Sequence, residues 1–234
     1  MKIITGTSSG IGKALAEHYL AKGERVIGIS RSNTLQDALF THIPCDLSNI
    51  KELEQLELKK HITQQDFPIA LFNNAGTIGD INRSHELSLS HYTQVANLNI
   101  VAPQYLSTLV LQTFGFENVS FILNISSGAG QRPIPSWAAY CASKAAIDLF
   151  SRTLQEEILE LGYSTRIFSV APGVVDTQMQ VTIRQSGEEN FSQNKKFIEL
   201  KEENMLRSPE EVAQLLTELL ANMPSLEEGV VLRV

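Results

Sequence analysis

Short runs of β-branched and other apolar residues alternate along most of the chain with segments in which apolar residues recur every three or four positions. The short runs predict strands, and the periodic segments predict amphipathic helices. The predicted strands are 2–5, 25–30, 41–45, 69–73, 120–125, 165–170 and 230–233, and the predicted helices are 10–22, 49–63, 90–114, 138–161 and 209–222. Apolar strands separated by helices are typical of right-handed βαβ units, so the pattern predicts an α/β fold with a doubly wound parallel sheet.

Two segments depart from this alternation. Only about a dozen residues separate Arg31 from the third predicted strand, which is too short for a crossover helix. Residues 177–208 are polar, and they predict either a substrate lid or a pair of solvated surface helices. We find no internal repeat and no linker, so the 234 residues are expected to form one domain, 1–234.

Composition narrows the classes of function. The apolar content of 43% and the charged content of 19% are ordinary for a globular protein, and the net charge of −7 argues against nucleic acid as a partner. The most apolar stretch, 106–125, is interrupted by polar residues, and the chain does not start with an apolar signal core, so no membrane association is expected.

Cysteine and histidine usage adds two expectations. Cys45 and Cys141 form neither a CxxC pair nor a disulfide framework, which favours a reducing, cytoplasmic setting. The five histidines are scattered without metal-ligand spacing, so no metal site is expected.

A glycine-rich turn follows the first predicted strand. The stretch TGTSSGIG, residues 5–12, ends this strand and opens the first predicted helix. Glycines allow a close approach of the backbone to a ligand, and the helix N-terminus offers free N–H groups and the positive end of its dipole to a phosphate. The spacing differs from the standard G-x-G-x-x-G fingerprint, but the position after the first strand favours a dinucleotide site over a purely steric role. The candidate cofactor-binding residues here are Gly6, Ser8, Ser9, Gly10, Ile11 and Gly12.

The ends of the second and third predicted strands carry the next candidates. Ser30 and Arg31 stand where enzymes that bind NAD usually place an acidic residue for the ribose hydroxyls. A guanidinium can bind a 2′-phosphate bidentately, so Arg31 favours NADP (NADPH) unless it is simply a solvated loop residue. Asp46, next to Leu47, is expected either to accept a hydrogen bond from the adenine or to cap the following helix.

Tyr140 and Lys144 are four residues apart in AAYCASKAAI and share one face of a predicted helix. They are either an exposed pair or a proton donor beside a cation that tunes it. A free phenol has a pKa of about 10, and a neighbouring ammonium should stabilise the phenolate and lower that pKa.

Six motifs in this order resemble the short-chain dehydrogenase/reductase family over nearly the whole chain. They are TGTSSGIG, NNAG, the asparagine in NLNIVAP, NISSGAG, YCASK and PGVVDTQM. The resemblance implies a Rossmann-like fold of about seven parallel strands in the order 3-2-1-4-5-6-7, with helices on both faces. It also implies an oxidoreductase that forms a homodimer or homotetramer through the long helices after the fourth and fifth strands.

The resemblance also implies catalytic roles. Tyr140 would be the general acid that protonates the carbonyl oxygen as hydride reaches the carbon. Lys144 would in addition bond the nicotinamide ribose, and Ser127 would donate a hydrogen bond to the substrate oxygen. Asn99 would hold a water in a proton relay to the lysine, with Asn97 as the rival for that role.

The same resemblance extends the cofactor site to the later strands. Val175 would meet the nicotinamide amide through its backbone, and Thr177 would bond the amide or a phosphate. Asn73 and Asn74 are alternatively structural residues that join neighbouring strands. The cofactor-binding residues implied in this part of the chain are Asn74, Ala75, Gly76, Tyr140, Lys144, Pro172, Gly173, Val175 and Thr177.

Within the family, the sequence most resembles sepiapterin reductases and bacterial benzil-type diketone reductases. Sepiapterin reductases carry an aspartate near the C-terminus that anchors the pterin, whereas this chain has Arg233 in that register, which cannot accept those hydrogen bonds. The favoured function is therefore NADPH-dependent reduction of a small ketone or diketone. The alternatives are a sepiapterin-type reductase, a 3-oxoacyl-carrier-protein reductase with a basic patch that includes Arg132 or Arg184, and a non-catalytic NADP-binding regulator.

Aromatic residues near the site leave two interpretations open. Trp137, one turn before Tyr140, is expected to be either an apolar wall beside the substrate or part of the helix-packing core. Met179, Phe191 and Phe197 likewise fit the lining of a lid or simple packing.

Overall fold

Strands and helices alternate along the computed structural model, which describes residues 1–223 and 229–234. The strands are β1 (Lys2–Thr5), β2 (Val26–Ser30), β3 (Phe40–Pro44), β4 (Ile69–Asn73), β5 (Val119–Ile125), β6 (Arg166–Ala171) and β7 (Val231–Arg233). The α-helices are α1 (Gly10–Ala21), α2 (Ile50–Glu54), α3 (Leu89–Ala96), α4 (Ala102–Phe114), α5 (Ala138–Glu160), α6 (Gln178–Gln185), α7 (Asn194–Glu202) and α8 (Pro209–Ala221).

The strands form one parallel sheet in the order β3-β2-β1-β4-β5-β6-β7. This order and the α/β class confirm the prediction, and each predicted strand lies within one residue of the observed one. The chain passes from β2 to β3 without a helix, as the short connection predicts.

Helices cover both faces of the sheet because the strands are apolar on both sides. Successive residues of β1 point in opposite directions, so Ile3 packs in one core and Ile4 in the other. The first core contains α4 and α5 residues such as Leu106, Val110 and Ile158. The second contains residues of α1 and α8, among them Leu15, Val212 and Leu216.

The predicted helix 49–63 is wrong beyond its first turns. The structure has the short helix α2 followed by two 3₁₀ turns. The apolar side chains of this segment that reach the core are Leu53, Leu56, Leu58 and Ile62. At 100° per residue, one continuous helix would place the last two on the side opposite the first two. The break lets all four face the sheet.

The predicted helix 90–114 is helical throughout but contains a wider turn. A π-helical segment, Asn97–Val101, separates α3 from α4. Pro103 follows it in α4 and has no N–H group, so it cannot donate the usual bond to the carbonyl of Asn99. π-Turns are frequent at functional sites, and this one contains the two asparagines that were candidates for the proton relay.

Residues 177–208 contain α6 and α7, as the interpretation of paired surface helices expects. The side chain of Asn194 in α7 donates a hydrogen bond to the carbonyl of Ile183 in α6 at 2.8 Å. Lys201 of α7 forms an ion pair with Asp176 at 2.6 Å, just before α6 begins. These contacts fasten the two helices to each other and to the chain after β6, and motion of this segment as a lid stays a prediction.

Further properties follow from the described part of the chain. Over residues 1–223 and 229–234, no helix has both the length and the apolar character needed to cross a bilayer. The same residues contain no group of three or more histidine, cysteine or acidic side chains that could hold a metal ion. Cys45 and Cys141 are free thiols, and Cys45 is buried.

A buried network of amides and hydroxyls joins the middle of the sheet to the helices on one face. The side chain of Asn73 in β4 donates to the Oδ1 atom of Asn124 in β5 at 2.9 Å. Asn124 in turn donates to the hydroxyl of Ser151 in α5 at 2.9 Å, and Asn73 lies 3.2 Å from the hydroxyl of Ser107 in α4. The expectation that Asn73 joins neighbouring strands is confirmed.

This network generates a prediction about stability. Asn124→Ala removes two buried hydrogen bonds, the one that Asn124 accepts from Asn73 and the one that it donates to Ser151, so the free energy of unfolding should fall by about 1–3 kcal/mol. Urea denaturation followed by circular dichroism measures it. Ser120→Ala is the control, because it removes a hydrogen bond from the same strand to Ile69 at a half-buried position that water can reach. Equal losses in the two variants would contradict a special role for the buried network.

Candidate active site

Several of the predicted site residues follow the ends of four neighbouring strands. Because β1, β4, β5 and β6 are parallel, their carboxyl ends lie at one edge of the sheet. The glycine turn follows β1, the turn at Ala75 and Gly76 follows β4, Ser127 follows β5, and Pro172 with Gly173 follows β6. The topology therefore brings these segments to the same edge.

The glycine turn has a backbone conformation and a close packing that residues with side chains could not adopt without strain. Gly6 and Gly10 have φ angles of +74° and +56°, in the left-handed region that favours glycine. A Cβ atom on Gly12 would lie 2.3 Å from the Nδ2 atom of Asn74 and 2.4 Å from the carbonyl oxygen of Gly6. The helix α1 begins at Gly10, and Ser9 before it makes no side-chain capping bond. The turn thus directs the N-terminus of α1 toward the sheet edge, which fits a phosphate.

Asn74 ties this turn to the one after β4. Its Nδ2 atom donates to the carbonyl of Thr5 at 2.9 Å. The hydroxyl of Thr5 accepts hydrogen bonds from the backbone N–H groups of Asn74 and Ala75, both at 2.9 Å. The structural role foreseen for Asn74 is confirmed, and a direct contact with the cofactor stays a prediction.

At the end of β2, a serine held by hydrogen bonds precedes an exposed arginine. The Ser30 hydroxyl is buried, donates to the carbonyl of Ser32 at 2.9 Å, and lies 3.3 Å from the hydroxyl of Thr7 in the glycine turn. Arg31 is exposed and next to it in the chain. The guanidinium is therefore accessible to a phosphate at this edge. Leu47, after β3, is buried.

Asp46 caps a turn rather than a helix. Its Oδ1 atom accepts hydrogen bonds from the hydroxyl and the backbone N–H of Ser48 at 2.7 Å and 3.0 Å. The hydrogen bond from the Ser48 hydroxyl, aided by the charge of Arg31, holds the pKa of Asp46 below its usual range. The N-cap of α2 is Asn49, so the helix-cap alternative for Asp46 is wrong, and its contact with adenine stays a prediction.

The segment after β6 returns to the glycine turn. Gly173 has a φ angle of +78°, and Val175 is buried and forms a β-bridge with Arg207. A Cβ atom on Gly10 would lie 3.2 Å from the methyl group of Thr177, the N-cap of α6. Thr177 is therefore next to the N-terminus of α1, where a phosphate would bind.

Tyr140 and Lys144 lie inside the protein, on the inner face of α5. Their exposed fractions are 6% and 5%, so the alternative of an exposed pair is wrong. The Lys144 ammonium donates to the carbonyl of Ile125, at the end of β5, at 2.7 Å. It lies 5.7 Å from the centre of the Tyr140 ring.

Burial shifts the pKa values of both groups toward their neutral forms. It raises the pKa of Tyr140 to about 12, although a hydrogen bond with the Ser127 side chain acts in the opposite direction. Burial lowers the pKa of Lys144 to about 8, although the Asp148 carboxylate raises it. The expected lowering of the Tyr140 pKa is therefore wrong for this structure, because the cost of burying a phenolate outweighs the stabilising contacts.

Asn99 is the asparagine that lies near the lysine. A Cβ atom on Gly76 would be 3.4 Å from the Oδ1 atom of Asn99 and 3.7 Å from the Nζ atom of Lys144, so both groups border the same glycine. The side chain of Asn99 accepts from the N–H of Thr77 at 2.9 Å and donates to the Ser143 hydroxyl at 3.1 Å. These bonds fix its orientation.

The rival asparagine points elsewhere. The side chain of Asn97 donates to the carbonyl of Ser48 at 3.1 Å, two residues beyond Asp46. The geometry thus favours Asn99 over Asn97 for contact with Lys144, and the proton relay itself stays a prediction.

An aromatic cluster joins α5 to the segment 177–208. The ring of Trp137 is stacked on that of Phe191, with centres 5.0 Å apart, and lies 5.5 Å from that of Phe197. Its ring is perpendicular to that of Tyr140, with the ring centres 5.8 Å apart. Met179 is partly buried against the cluster. The packing interpretation of these residues is confirmed, and the same packing places apolar rings beside the phenol.

Three further arginines were singled out in the sequence, namely Arg132, Arg184 and Arg233, and Arg132 is exposed. The Nη2 atom of Arg233 lies 3.7 Å from the position of a Cβ atom on Gly128, the residue after Ser127, so a cation borders the serine. Arg184 is mostly buried and lies 3.9 Å from Asp176, which leaves it unsuited to an exposed basic patch.

One partner of the site escaped the sequence analysis. Asp148 is buried one turn beyond Lys144 and accepts a hydrogen bond from the side chain of Gln131. The sequence does contain an indication of this partner, because a carboxylate four residues after Lys144 lies on the same helical face. The spacing alone does not distinguish that carboxylate from a solvated one.

Comparisons with known proteins agree with this geometry. The family model for short chain dehydrogenases matches residues 1–188. The chain is 38% identical over 223 residues to a protein of Bacillus subtilis named benzil reductase ((S)-benzoin forming), covering 93% of this chain and 92% of that one. It is 32% identical over 211 residues to sepiapterin reductase of Rattus norvegicus, covering 79% and 77%. The crystal structure of the enzyme KRED1-Pglu has the same fold, with a TM-score of 0.87, 24% identity and coverage of 99% and 98%.

Proposed function

The chain belongs to the short-chain dehydrogenase family and is an oxidoreductase, and we propose that it uses NADPH to reduce a ketone or diketone to an alcohol. The observation that carries this proposal is the meeting of Ser127, Tyr140 and Lys144 at the sheet edge that also holds the glycine turn. The name of the Bacillus subtilis relative favours a vicinal diketone as the substrate class.

The residues at the sheet edge fit a nicotinamide dinucleotide. The first turn of α1 has no acidic residue and no capping bond from the Ser9 side chain, and Thr177 lies beside it, so backbone N–H and hydroxyl groups can surround a phosphate. When bound, the nicotinamide supplies a hydride to the carbonyl carbon. The exposed guanidinium of Arg31 supports NADPH over NADH, because it can pair with the 2′-phosphate.

Tyr140 supplies the proton in this reaction. Its raised pKa keeps the phenol protonated through neutral pH, so it can donate to the carbonyl oxygen. Ser127, which hydrogen-bonds the phenol, donates to the same substrate oxygen as negative charge develops there. Lys144 remains an ammonium up to about pH 8 and stabilises the phenolate that forms when the proton leaves.

The surroundings of the phenol support an apolar substrate. Trp137 packs beside Tyr140 and is backed by Phe191 and Phe197, which suits a carbonyl flanked by aryl groups. Arg233 near Ser127 argues against a pterin, whose amino groups need an acceptor. The pairing of Arg184 with Asp176 leaves only Arg132, which is exposed, for a basic patch that could bind an acidic carrier protein.

Tyr140→Phe tests the catalytic proposal. The variant keeps the ring but loses the proton donor, so kcat for NADPH-dependent reduction of benzil should fall about 10²–10⁴-fold while NADPH binding changes little. Absorbance at 340 nm and a fluorescence titration with NADPH measure the two quantities. An unchanged kcat would refute the role of Tyr140.

The wild-type protein is assayed on benzil, other diketones, sepiapterin and a 3-oxoacyl thioester. Tight NADPH binding without turnover of any of them would instead favour a non-catalytic regulator.

Arg31→Ala tests the choice of cofactor. Loss of a charge-assisted contact with the 2′-phosphate should raise the NADPH dissociation constant about 10–100-fold and leave that of NADH nearly unchanged. Titration calorimetry with both cofactors is the measurement. Arg132→Ala removes the same charge at another exposed position and should change neither constant. An equal weakening of NADPH and NADH in Arg31→Ala would exclude the proposed contact.

We propose further that copies of the chain associate through the outer face of α5. Leu149 on this helix is 64% exposed, although leucine is usually buried. Leu149→Asp should convert the wild-type oligomer to a monomer in sedimentation velocity, whereas Leu161→Asp, at an equally exposed position just beyond the helix, should not. A monomeric wild-type protein at micromolar concentration would refute this association.

A further inference from the structure

A carboxylate is buried in the wall of the active site. Asp148 lies on α5, one turn beyond Lys144, and only 3% of it is exposed. Its Oδ1 atom accepts a hydrogen bond from the hydroxyl of Ser169 in β6 at 2.7 Å, and its Oδ2 atom accepts one from the side chain of Gln131 at 2.5 Å. Because both oxygens have donors, the carboxylate can remain in the interior.

One of these donors belongs to the loop that carries the catalytic serine. Gln131 ends the 3₁₀ turn that Ser127 begins. Gly130 in this turn lies so close to α5 that a Cβ atom on it would be 2.9 Å from the carbonyl carbon of Lys144 and 3.1 Å from the Oδ2 atom of Asp148. The loop therefore rests directly on the helix, and the hydrogen bond from Gln131 to Asp148 fastens its end there.

We propose that Asp148 is a positioning residue, which holds the Ser127 loop against the catalytic helix and supplies the negative charge that balances the buried ammonium of Lys144. This inference rests on the proposed function. It adds to that function a residue that acts through Ser127 and Lys144 rather than on the substrate.

The negative charge of Asp148 acts on Lys144, whose pKa lies near neutral pH. Burial lowers the pKa of Lys144 to about 8, and the Asp148 carboxylate works against that shift. The ammonium is present below this pKa and is lost as the pH rises through it. Without the carboxylate the pKa would fall further, and neutral lysine would appear at lower pH.

The elements around Lys144 present few other charges. Tyr140, Cys141 and Asp148 are the titratable groups near it on its own helix. The neighbouring strand β5 offers the carbonyl of Ile125, the π-helical segment offers the amide of Asn99, and the loop after β5 offers neutral groups. The guanidinium of Arg233, from β7, reaches Gly128 in that loop. Asp148 is the charged group that raises the pKa of Lys144 against the effect of burial.

Asp148→Asn isolates the charge. The asparagine carbonyl can still accept from Ser169, and its amide can donate to Gln131 once the glutamine amide rotates, so the contacts can be kept while the charge is lost. The alkaline limb of the kcat profile for diketone reduction should move to lower pH by about one unit. The pH dependence of the NADPH dissociation constant should move in the same direction, which provides a readout that does not need turnover.

Two matched variants separate the charge from the contacts. Ser169→Ala removes a hydrogen bond and keeps the carboxylate, so the alkaline limb should stay at its wild-type pH. Gln131→Ala releases the loop end, so kcat should fall about ten-fold while KM for NADPH and the alkaline limb stay unchanged. The result for Gln131→Ala tests the positioning role even if Asp148→Asn fails to fold.

The inference is overturned if Asp148→Asn keeps the wild-type pH profile, if Ser169→Ala shifts the profile by the same amount, or if Gln131→Ala keeps the wild-type kcat. The proposed function fails separately. If the wild-type protein reduces no carbonyl while Asp148→Asn still shifts the pH dependence of NADPH binding, the function is refuted and the charge effect of Asp148 on Lys144 stands.

Discussion

The seven strands run parallel in one sheet, and this common direction is the constraint on which the active site depends. Parallel strands end at the same edge, so chain segments far apart in sequence meet there without any further device. Asn74 illustrates the result, because its side chain after β4 donates to the carbonyl of Thr5 before the glycine turn. Gly10 and Thr177, which are separated by most of the chain, are brought close together in the same way. The cofactor site is therefore a consequence of strand direction and order.

Burial is the second determinant of the active site. It favours the neutral forms of both Tyr140 and Lys144 on α5. A buried phenolate and a buried ammonium both lack water, so the pKa of Tyr140 rises and that of Lys144 falls. The protein offsets these costs with the carbonyl of Ile125, the hydroxyl of Ser127 and the carboxylate of Asp148. A phenol that remains protonated and an ammonium that remains charged near neutral pH are the two states that proton donation to a carbonyl requires.

The segment 177–208 is coupled to the catalytic helix by packing rather than by sequence proximity. Trp137, next to the first turn of α5, stacks on Phe191 and contacts the ring of Tyr140. The hydroxyl of Ser136 also donates to the carbonyl of Asn190 in this segment at 2.6 Å. Any displacement of the segment would change the apolar surroundings of the phenol, which links the shape of the substrate region to the position of these helices.

The sequence alone was enough to predict the strands, their parallel arrangement, the glycine turn and the spacing of Tyr140 and Lys144. These are local properties, since hydrophobic period, glycine positions and a four-residue spacing can be read from neighbouring residues. The predicted helix 49–63 was wrong because Leu53 and Ile62 both pack in the same core, whereas one continuous helix would place them on opposite sides.

Only the tertiary structure decided the direction of the Tyr140 pKa shift, the choice of Asn99 over Asn97 near Lys144, and the burial of Asp148 against Gln131 and Ser169. Each of these depends on which distant residues exclude water or donate hydrogen bonds, and that is a property of the packed molecule.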